Sequence, residues 1–241
     1  MSSAVLTGRV IAITGATGGI GRALAIDCAR AGAQLVLLAR NAPRLQALHT
    51  ELEGIAPGAA LMAPLDLEKA LATDYDRLAD AVLERYGRLD GLVHCAGLLG
   101  PLTPIEHYDV PTWCRVMHVN VTAAFALTQV LLPALRRSPD ASVIFTSSGV
   151  GRRGRAYWGA YAVSKFALEG LAQVLAEECS GNTAIRVNTI NPGRARTAMR
   201  RQAYPSEDVA SLPLPETLTA PYLRLLGPQG TGITGQALDC Q

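Results

Sequence analysis

The sequence predicts an α/β fold: a doubly wound parallel sheet of about seven strands with helices on both faces. Three observations predict it. Apolar runs of strand length alternate with longer amphipathic stretches from one end of the chain to the other. Several of those runs are continuously apolar, as expected of parallel strands covered on both faces. No linker, repeat or low-complexity tract interrupts the alternation, so residues 1–241 read as a single domain.

"RVIAIT" (9–14) is the first strand and runs into a glycine-rich turn that opens a helix over 20–31. "AQLVLLA" (33–39) and a helix over 42–53 follow, then "AALMAPL" (59–65) and a helix over 70–86. "GLVHCA" (91–96) is the fourth strand and leads to a long helix over 111–137; "SVIFTS" (142–147) is the fifth, before a helix over 159–179. "IRVNTIN" (185–191) is the sixth. The stretch 194–214, rich in Arg, Pro and Ser, reads as irregular, ahead of a last helix over 215–226 and a seventh strand, "GQALD" (235–239). Strands so connected take right-handed crossovers.

The chain is 49% hydrophobic and 17% charged, enough for a sizeable core. A formal charge of +2 gives no nucleic-acid footprint, so no such partner is expected. The apolar runs read as short and broken by Gly, Pro or charge, which argues against a membrane span. The start, "MSSAVLTGRV", lacks the charged-then-apolar layout of a signal peptide. Cysteines 28, 95, 114, 179 and 240 are scattered singly, with no C-x-x-C and no paired His. That pattern predicts reduced thiols in the cytoplasm, no disulfides and no metal.

The first strand enters "TGATGGIGRALA" (14–25), where Gly15, Gly19 and Gly21 surround Thr17, Gly18 and Ile20. Glycines here permit a tight strand-to-helix turn and let backbone approach a pyrophosphate held on the helix N–H groups. After the first strand of a βαβ unit, this predicts dinucleotide binding on a Rossmann-type sheet. A site for NAD usually has an acidic residue ending the second strand. This chain reads "LVLLARN", with Arg40 and no carboxylate. A guanidinium suits a 2′-phosphate, so NADP(H) is expected in preference to NAD(H); the alternative is a solvated arginine opening the next helix. Asp66 and Leu67, in "LDLEKA", are placed to touch an adenine edge, or Asp66 is a plain loop or helix-capping residue.

"YWGAYAVSKF" (157–166) sets Tyr161 and Lys165 one helical turn apart on one face. A cation beside a phenol stabilises the phenolate and brings its pKa toward neutrality. Alone, the pair also reads as an ordinary Tyr and Lys on a half-exposed helix.

Together the glycine turn, "YAVSK" and the strand order resemble the standard-length short-chain dehydrogenase/reductase family, over essentially the whole chain. "TSSGVGRRGRAYWGAYAVSKFALEG" and "INPGRARTAMR" resemble its YciK-type bacterial branch. The resemblance implies hydride transfer between a nicotinamide cofactor and a carbonyl/hydroxyl pair of a small or acyl-type substrate. It implies that Tyr161 passes the proton, and that Lys165 tunes the phenol and binds the nicotinamide ribose. Ser148, thirteen residues before Tyr161, would hold the substrate oxygen. Asn120, in "HVNVTAAF", would hold a water for proton relay to Lys165. Its apolar neighbours favour a satisfied polar role over a solvent-facing one. Pro192 and Gly193 would turn beside the nicotinamide, Thr197 would bind its carboxamide, and Ala96 and Gly97 would pass its ribose.

The pattern breaks at "HCAGLLG", where Cys95 stands in place of the family's Asn. A thiol is a weak donor and a poor acceptor, so some loss of rigidity is expected there. The ending "ALDCQ" lacks the glycine-rich tail of many relatives. Substrate walls are expected from 98–105, 149–158 and the stretch after Thr197, with Tyr157 or Trp158 suiting a hydrophobic carbonyl compound. Arg152, Arg153, Arg155, Arg200 and Arg201 would bind an acidic substrate, or form a solvated rim or an oligomer contact. The resemblance also implies a homodimer or homotetramer packed through small residues Ala123, Ala124, Ala162 and Ala167. The rival function is an NADPH-binding sensor or scaffold with little activity, which would not need the complete Asn120, Ser148, Tyr161 and Lys165 set.

Overall fold

A computed structural model of the protein describes residues 5–241; residues 1–4, the start of the stretch read for a signal peptide, lie outside them. Seven strands form one parallel sheet in the order β3-β2-β1-β4-β5-β6-β7. They are β1 (Val10–Thr14), β2 (Gln34–Ala39), β3 (Ala60–Pro64), β4 (Gly91–His94), β5 (Ala141–Thr146), β6 (Ile185–Asn191) and β7 (Ala237–Asp239). Alternate residues of the inner strands feed opposite layers. Val10, Ala12, Val36, Val143 and Phe145 pack with α3 (Ala72–Tyr86), α5 (Ala123–Arg136) and α6 (Gly159–Cys179). Ile11, Ile13, Leu35, Leu37 and Ile144 pack with α1 (Gly19–Arg30), α2 (Ala42–Glu53) and α8 (Ala220–Leu226). Both faces are thus buried, which is why these strands read as unbroken apolar runs.

Strand order reverses between β1 and β4, and a crevice opens beyond their C-terminal ends, where such sheets bind ligands. The opposite rim is closed by charge. Asp90 accepts hydrogen bonds from Val10 N (2.8 Å), Arg88 Nε (2.9 Å) and Ser138 Oγ (2.6 Å). Asp140 accepts from Arg186 Nε (2.7 Å) and Arg9 (3.1 Å). These contacts join the N-terminal ends of β1, β4, β5 and β6.

Several expectations change. The last helix begins only at Ala220, after a 3₁₀ turn over Pro215–Leu218, and the seventh strand is only Ala237–Asp239. The fourth strand ends at His94 rather than 96, because the Thr14 hydroxyl takes both the Cys95 and Ala96 N–H groups at 3.1 Å and draws them off the ladder. The stretch 194–214 contains α7 (Ala198–Ala203), capped by Thr197, whose hydroxyl accepts from Arg200 N at 3.1 Å. The long helix is α4 (Val110–Met117), a wider π segment (His118–Thr122) and α5. By length and composition this 27-residue helix could cross a membrane, contrary to the reading that every apolar run is short. Here its inner face, Leu127, Leu131 and Leu135, is sheet-packed core.

Candidate active site

The crevice is a cavity of about 690 Å³. At one end the glycine turn is built as the spacing requires. Gly15 has φ +66°, and a Cβ there would lie 2.9 Å from Ala96 N; one on Gly21 would lie 2.4 Å from the Gly15 carbonyl. Only hydrogen fits at either position. Gly18 caps α1 without any side-chain hydrogen bond, and the first turn holds no acidic residue. The N–H groups there are left for an anion. Thr17, Gly19, Ile20, Arg40, Asp66, Leu67, Ala96, Gly97, Pro192, Gly193 and Thr197 all line the same cavity.

Arg40 is joined by a second cation that the sequence reading missed, Arg44. Asn41 caps α2 by accepting from Arg44 N at 2.9 Å, which fixes the helix start between the two arginines. The neighbouring acid, Glu68, is committed to Arg115 at 2.8 Å; that guanidinium holds its carboxyl below the usual range. Asp66 accepts from Glu68 N at 3.1 Å, a loop turn rather than a helix cap, since α3 is capped at Leu71, and it still lines the cavity.

At the other end Ser148, Tyr161 and Lys165 meet. Adjacent Ser147 is turned away, its hydroxyl bonded to Glu169 at 2.5 Å, so Ser148 is the serine that faces Tyr161. Tyr161 and Lys165 are 7% and 4% exposed. Lys165 Nζ donates to the Thr146 carbonyl at 2.7 Å and lies 5.5 Å from the Tyr161 ring centroid. Burial pushes the phenol up to about 12, against a Ser148 hydrogen bond that lowers it, and pushes the Lys165 ammonium down to about 8. Lys165 is not among the groups that lower the phenol here; the Ser148 hydrogen bond is. The ammonium is spent on a carbonyl rather than on the hydroxyl, and desolvation dominates both groups.

Asn120 stands behind this wall, 1% exposed. Its Oδ1 accepts from Leu98 N (2.7 Å), and its Nδ2 donates to Leu98 O and Ser164 Oγ (both 2.9 Å). It thereby clamps the segment after β4. The π segment supplies the extra residue that turns Asn120 inward while the apolar face of α5 continues. Cys95 is not isolated either: its sulfur lies 3.4 Å from Thr146 Oγ1, which lies 3.2 Å from the buried Tyr222 hydroxyl. Burial pushes the Cys95 thiol up to about 11, so it stays protonated at neutrality. His94, stacked on Phe145 and bonded to Thr128 at 2.9 Å, is pushed down to about 3 by burial and stays neutral.

The substrate end is walled by Leu98, Leu99, Trp158, Met199 and Ala203. Trp158 faces the cavity; Tyr157, at φ +72° and 61% exposed, does not. The arginine cluster is largely internal wiring. Arg152 binds Glu169 and Asp239, and Arg200 binds Glu207 at 2.6 Å. Arg155 donates to the Tyr204 hydroxyl at 2.5 Å and sits against the Trp158 ring. Arg153 and Arg201 have no side-chain partner among the described residues. Gln241, also missed, donates to Pro192 O (2.9 Å) and Arg194 O (2.6 Å), bracing the turn at Gly193.

Comparison with known proteins agrees with this geometry. Residues 9–208 match the short chain dehydrogenase family profile. The chain is 45% identical over 237 residues to the uncharacterized oxidoreductase YciK of Escherichia coli K12, covering 98% of this chain and 93% of that one. A short chain dehydrogenase from Pseudomonas syringae superposes with TM-score 0.97 at 52% identity, covering 98% and 96% of the two chains. Another from Shigella flexneri, complexed with NADP, superposes with TM-score 0.95 at 44% identity and covers 99% of each.

Proposed function

The chain belongs to the short-chain dehydrogenase/reductase family of oxidoreductases, and from that premise we propose that it moves a hydride between NADP(H) and a carbonyl/hydroxyl pair. The observation that carries this reading is one cavity with a glycine turn and two arginines at one end and Ser148, Tyr161 and Lys165 at the other. The residues fit the cofactor: the Gly15–Gly21 cradle excludes a Cβ, and the open start of α1 and Arg40 with Arg44 suit phosphate groups. When bound, the nicotinamide supplies or accepts the hydride.

The chain's own groups do the rest. Ser148 holds the substrate oxygen beside the phenol. Tyr161, protonated through neutrality, donates to the oxygen of a carbonyl as it gains charge; a positioned donor of this kind contributes roughly 10²–10⁴-fold. Lys165 supplies positive charge beneath the phenol, and Asn120 keeps the segment after β4 at the right depth. The apolar wall at Leu98, Leu99, Trp158 and Met199 keeps water from the reacting oxygen. NADPH is preferred to NADH because Arg40 and Arg44 meet a 2′-phosphate and no free carboxylate meets a 2′-hydroxyl.

Fluorescence titration with each nucleotide tests the reading. NADPH binds more tightly, and Arg40→Ala weakens NADPH about 10–100-fold, the worth of a charge-assisted hydrogen bond, while leaving NADH nearly unchanged. Equal affinity for both nucleotides in the unmodified protein refutes the 2′-phosphate argument.

The same proposal includes a homodimer or homotetramer. Ala123, Ala124 and Ala162, expected at its contact, are buried within the chain; the outward faces of α5 and α6 instead present Phe125, Val163, Phe166 and Val174. Exposed apolar rows of this kind mark association surfaces. Light scattering of Phe166→Glu gives a smaller mass than the parent; a monomeric parent refutes this part.

A further inference from the structure

One turn past Lys165 on α6, Glu169 is 8% exposed and unused by the chemistry above. Its carboxylate gathers three elements. Oε1 accepts from Ser147 Oγ at the end of β5 (2.5 Å) and from Arg152 Nε in the following loop (3.1 Å); Oε2 accepts from Thr189 Oγ1 on β6 (2.6 Å). Arg152 goes on to the Asp239 carboxylate (2.9 Å) and the Leu238 carbonyl (2.8 Å) on β7. A buried carboxylate costs free energy unless hydrogen-bonded, and an apolar residue of like size is commonly no worse for stability. The charge therefore asks for a role in geometry.

The backbone supplies that role. Ser148 is extended (φ −164°, ψ 157°), and successive side chains on extended backbone point to opposite sides. Fixing the Ser147 hydroxyl on Glu169 therefore aims Ser148 the other way, at Tyr161. The loop behind is equally tight: a Cβ on Gly151 would lie 2.7 Å from Lys165 Cβ.

We propose that Glu169 is a positioning residue that locks Ser147 to α6, so that Ser148 stays registered against Tyr161 on the same helix. The inference rests on the reading of Ser148 and Tyr161 as the reacting pair.

A double-mutant cycle tests it, following NADPH oxidation with an ortho-quinone and an aryl aldehyde as probes. Glu169→Gln keeps the volume and removes one acceptor and the charge. It lowers kcat about 10–100-fold, the scale of an ångström of misplacement, and leaves NADPH affinity within about twofold. In a Ser148→Ala background the same change costs less than about threefold, because the group it positions is already gone. A merely structural role lowers Tm without that background dependence. Ser147→Ala, which deletes one hydroxyl, shows the same pattern and replaces the Gln variant if that does not fold. Unchanged kcat, or equal losses in both backgrounds, overturns the proposal. If the unmodified protein turns over neither probe, the reductase reading fails, and crystal structures decide the positioning. Ser148 swung away from Tyr161 in Glu169→Gln supports it, and an unmoved Ser148 overturns it.

Discussion

Lys165→Met should make the protein more stable at neutral pH while removing its activity. Burial lowers the Lys165 pKa from 10.5 to about 8 in the fold. A base depressed on folding binds more protons in the unfolded chain between those two values, so stability rises with pH across that window. Below it, both states are protonated and the whole penalty is present. At about 1.4 kcal/mol per pH unit, the shift costs about 3 kcal/mol at pH 7. Methionine removes that cost but also the 2.7 Å hydrogen bond from Nζ to Thr146 O, worth about 1 kcal/mol. The net gain is about 2 kcal/mol, or about 4–8 °C in Tm for a chain of this size. Above about pH 10 the lysine is neutral in the fold, the gain disappears and the lost hydrogen bond reverses its sign. Melting curves of both proteins, taken in parallel from neutral to alkaline pH, measure the difference directly. A methionine variant that is less stable at pH 7, or an offset that does not change with pH, refutes the claim that Lys165 is held charged at a desolvation cost.

Two further outcomes follow from the same contacts. Tyr161→Phe lowers turnover of the quinone and aldehyde probes by roughly 10²–10⁴-fold while NADPH fluorescence titrates as before; retention of most of the rate would sink the assignment of the proton donor. Asp140→Asn strips the nearly buried Arg186 of its carboxylate and costs about 3 kcal/mol in urea melts at pH 7. Burial alone would raise the Asp140 pKa, but Arg186 and then Arg9 bring it below the ordinary value. The advantage of the unmodified protein is therefore full above the ordinary carboxylate pKa and fades as pH falls through the lowered one. An Asn variant equal in stability at pH 7 would show the pair to be idle.

Much of the fold was legible because burial on both faces leaves a continuous signature in each strand. The sixth strand, 185–191, falls on its predicted bounds. The fourth was read two residues too long, since its apolarity continues through Cys95 and Ala96 although a hydroxyl on β1 turns them off the ladder. The short α7 hid in a polar stretch because a helix of six residues has no periodicity to read. At the site, glycines and the Tyr-Lys spacing are local signals, and the structure brings those residues to one cavity. What escaped was relational. Arg44 counts only because α2 begins between it and Arg40. Arg152 looked like a free cation until Asp239, far along the chain, met it at 2.9 Å. No local pattern announces that Ser147 turns inward to Glu169, or that Tyr222 reaches Thr146 and so tethers the neighbour of Cys95.

The two rims of the sheet divide the protein's obligations. Asp90 and Asp140, with their arginines and Ser138, hold the strand starts, while the reacting trio lies past the end of β5, at Ser148, or on α6, at Tyr161 and Lys165. Changes at Leu98, Trp158, Met199 or Ala203 reshape the substrate wall without touching the ion pairs that knit the opposite rim. A lineage built on this plan inherits its foldedness from one edge and experiments with the other. Selection for a new carbonyl compound can then act on a handful of wall residues, and the scaffold's tolerance for such trials is set some strand-lengths away from where they occur.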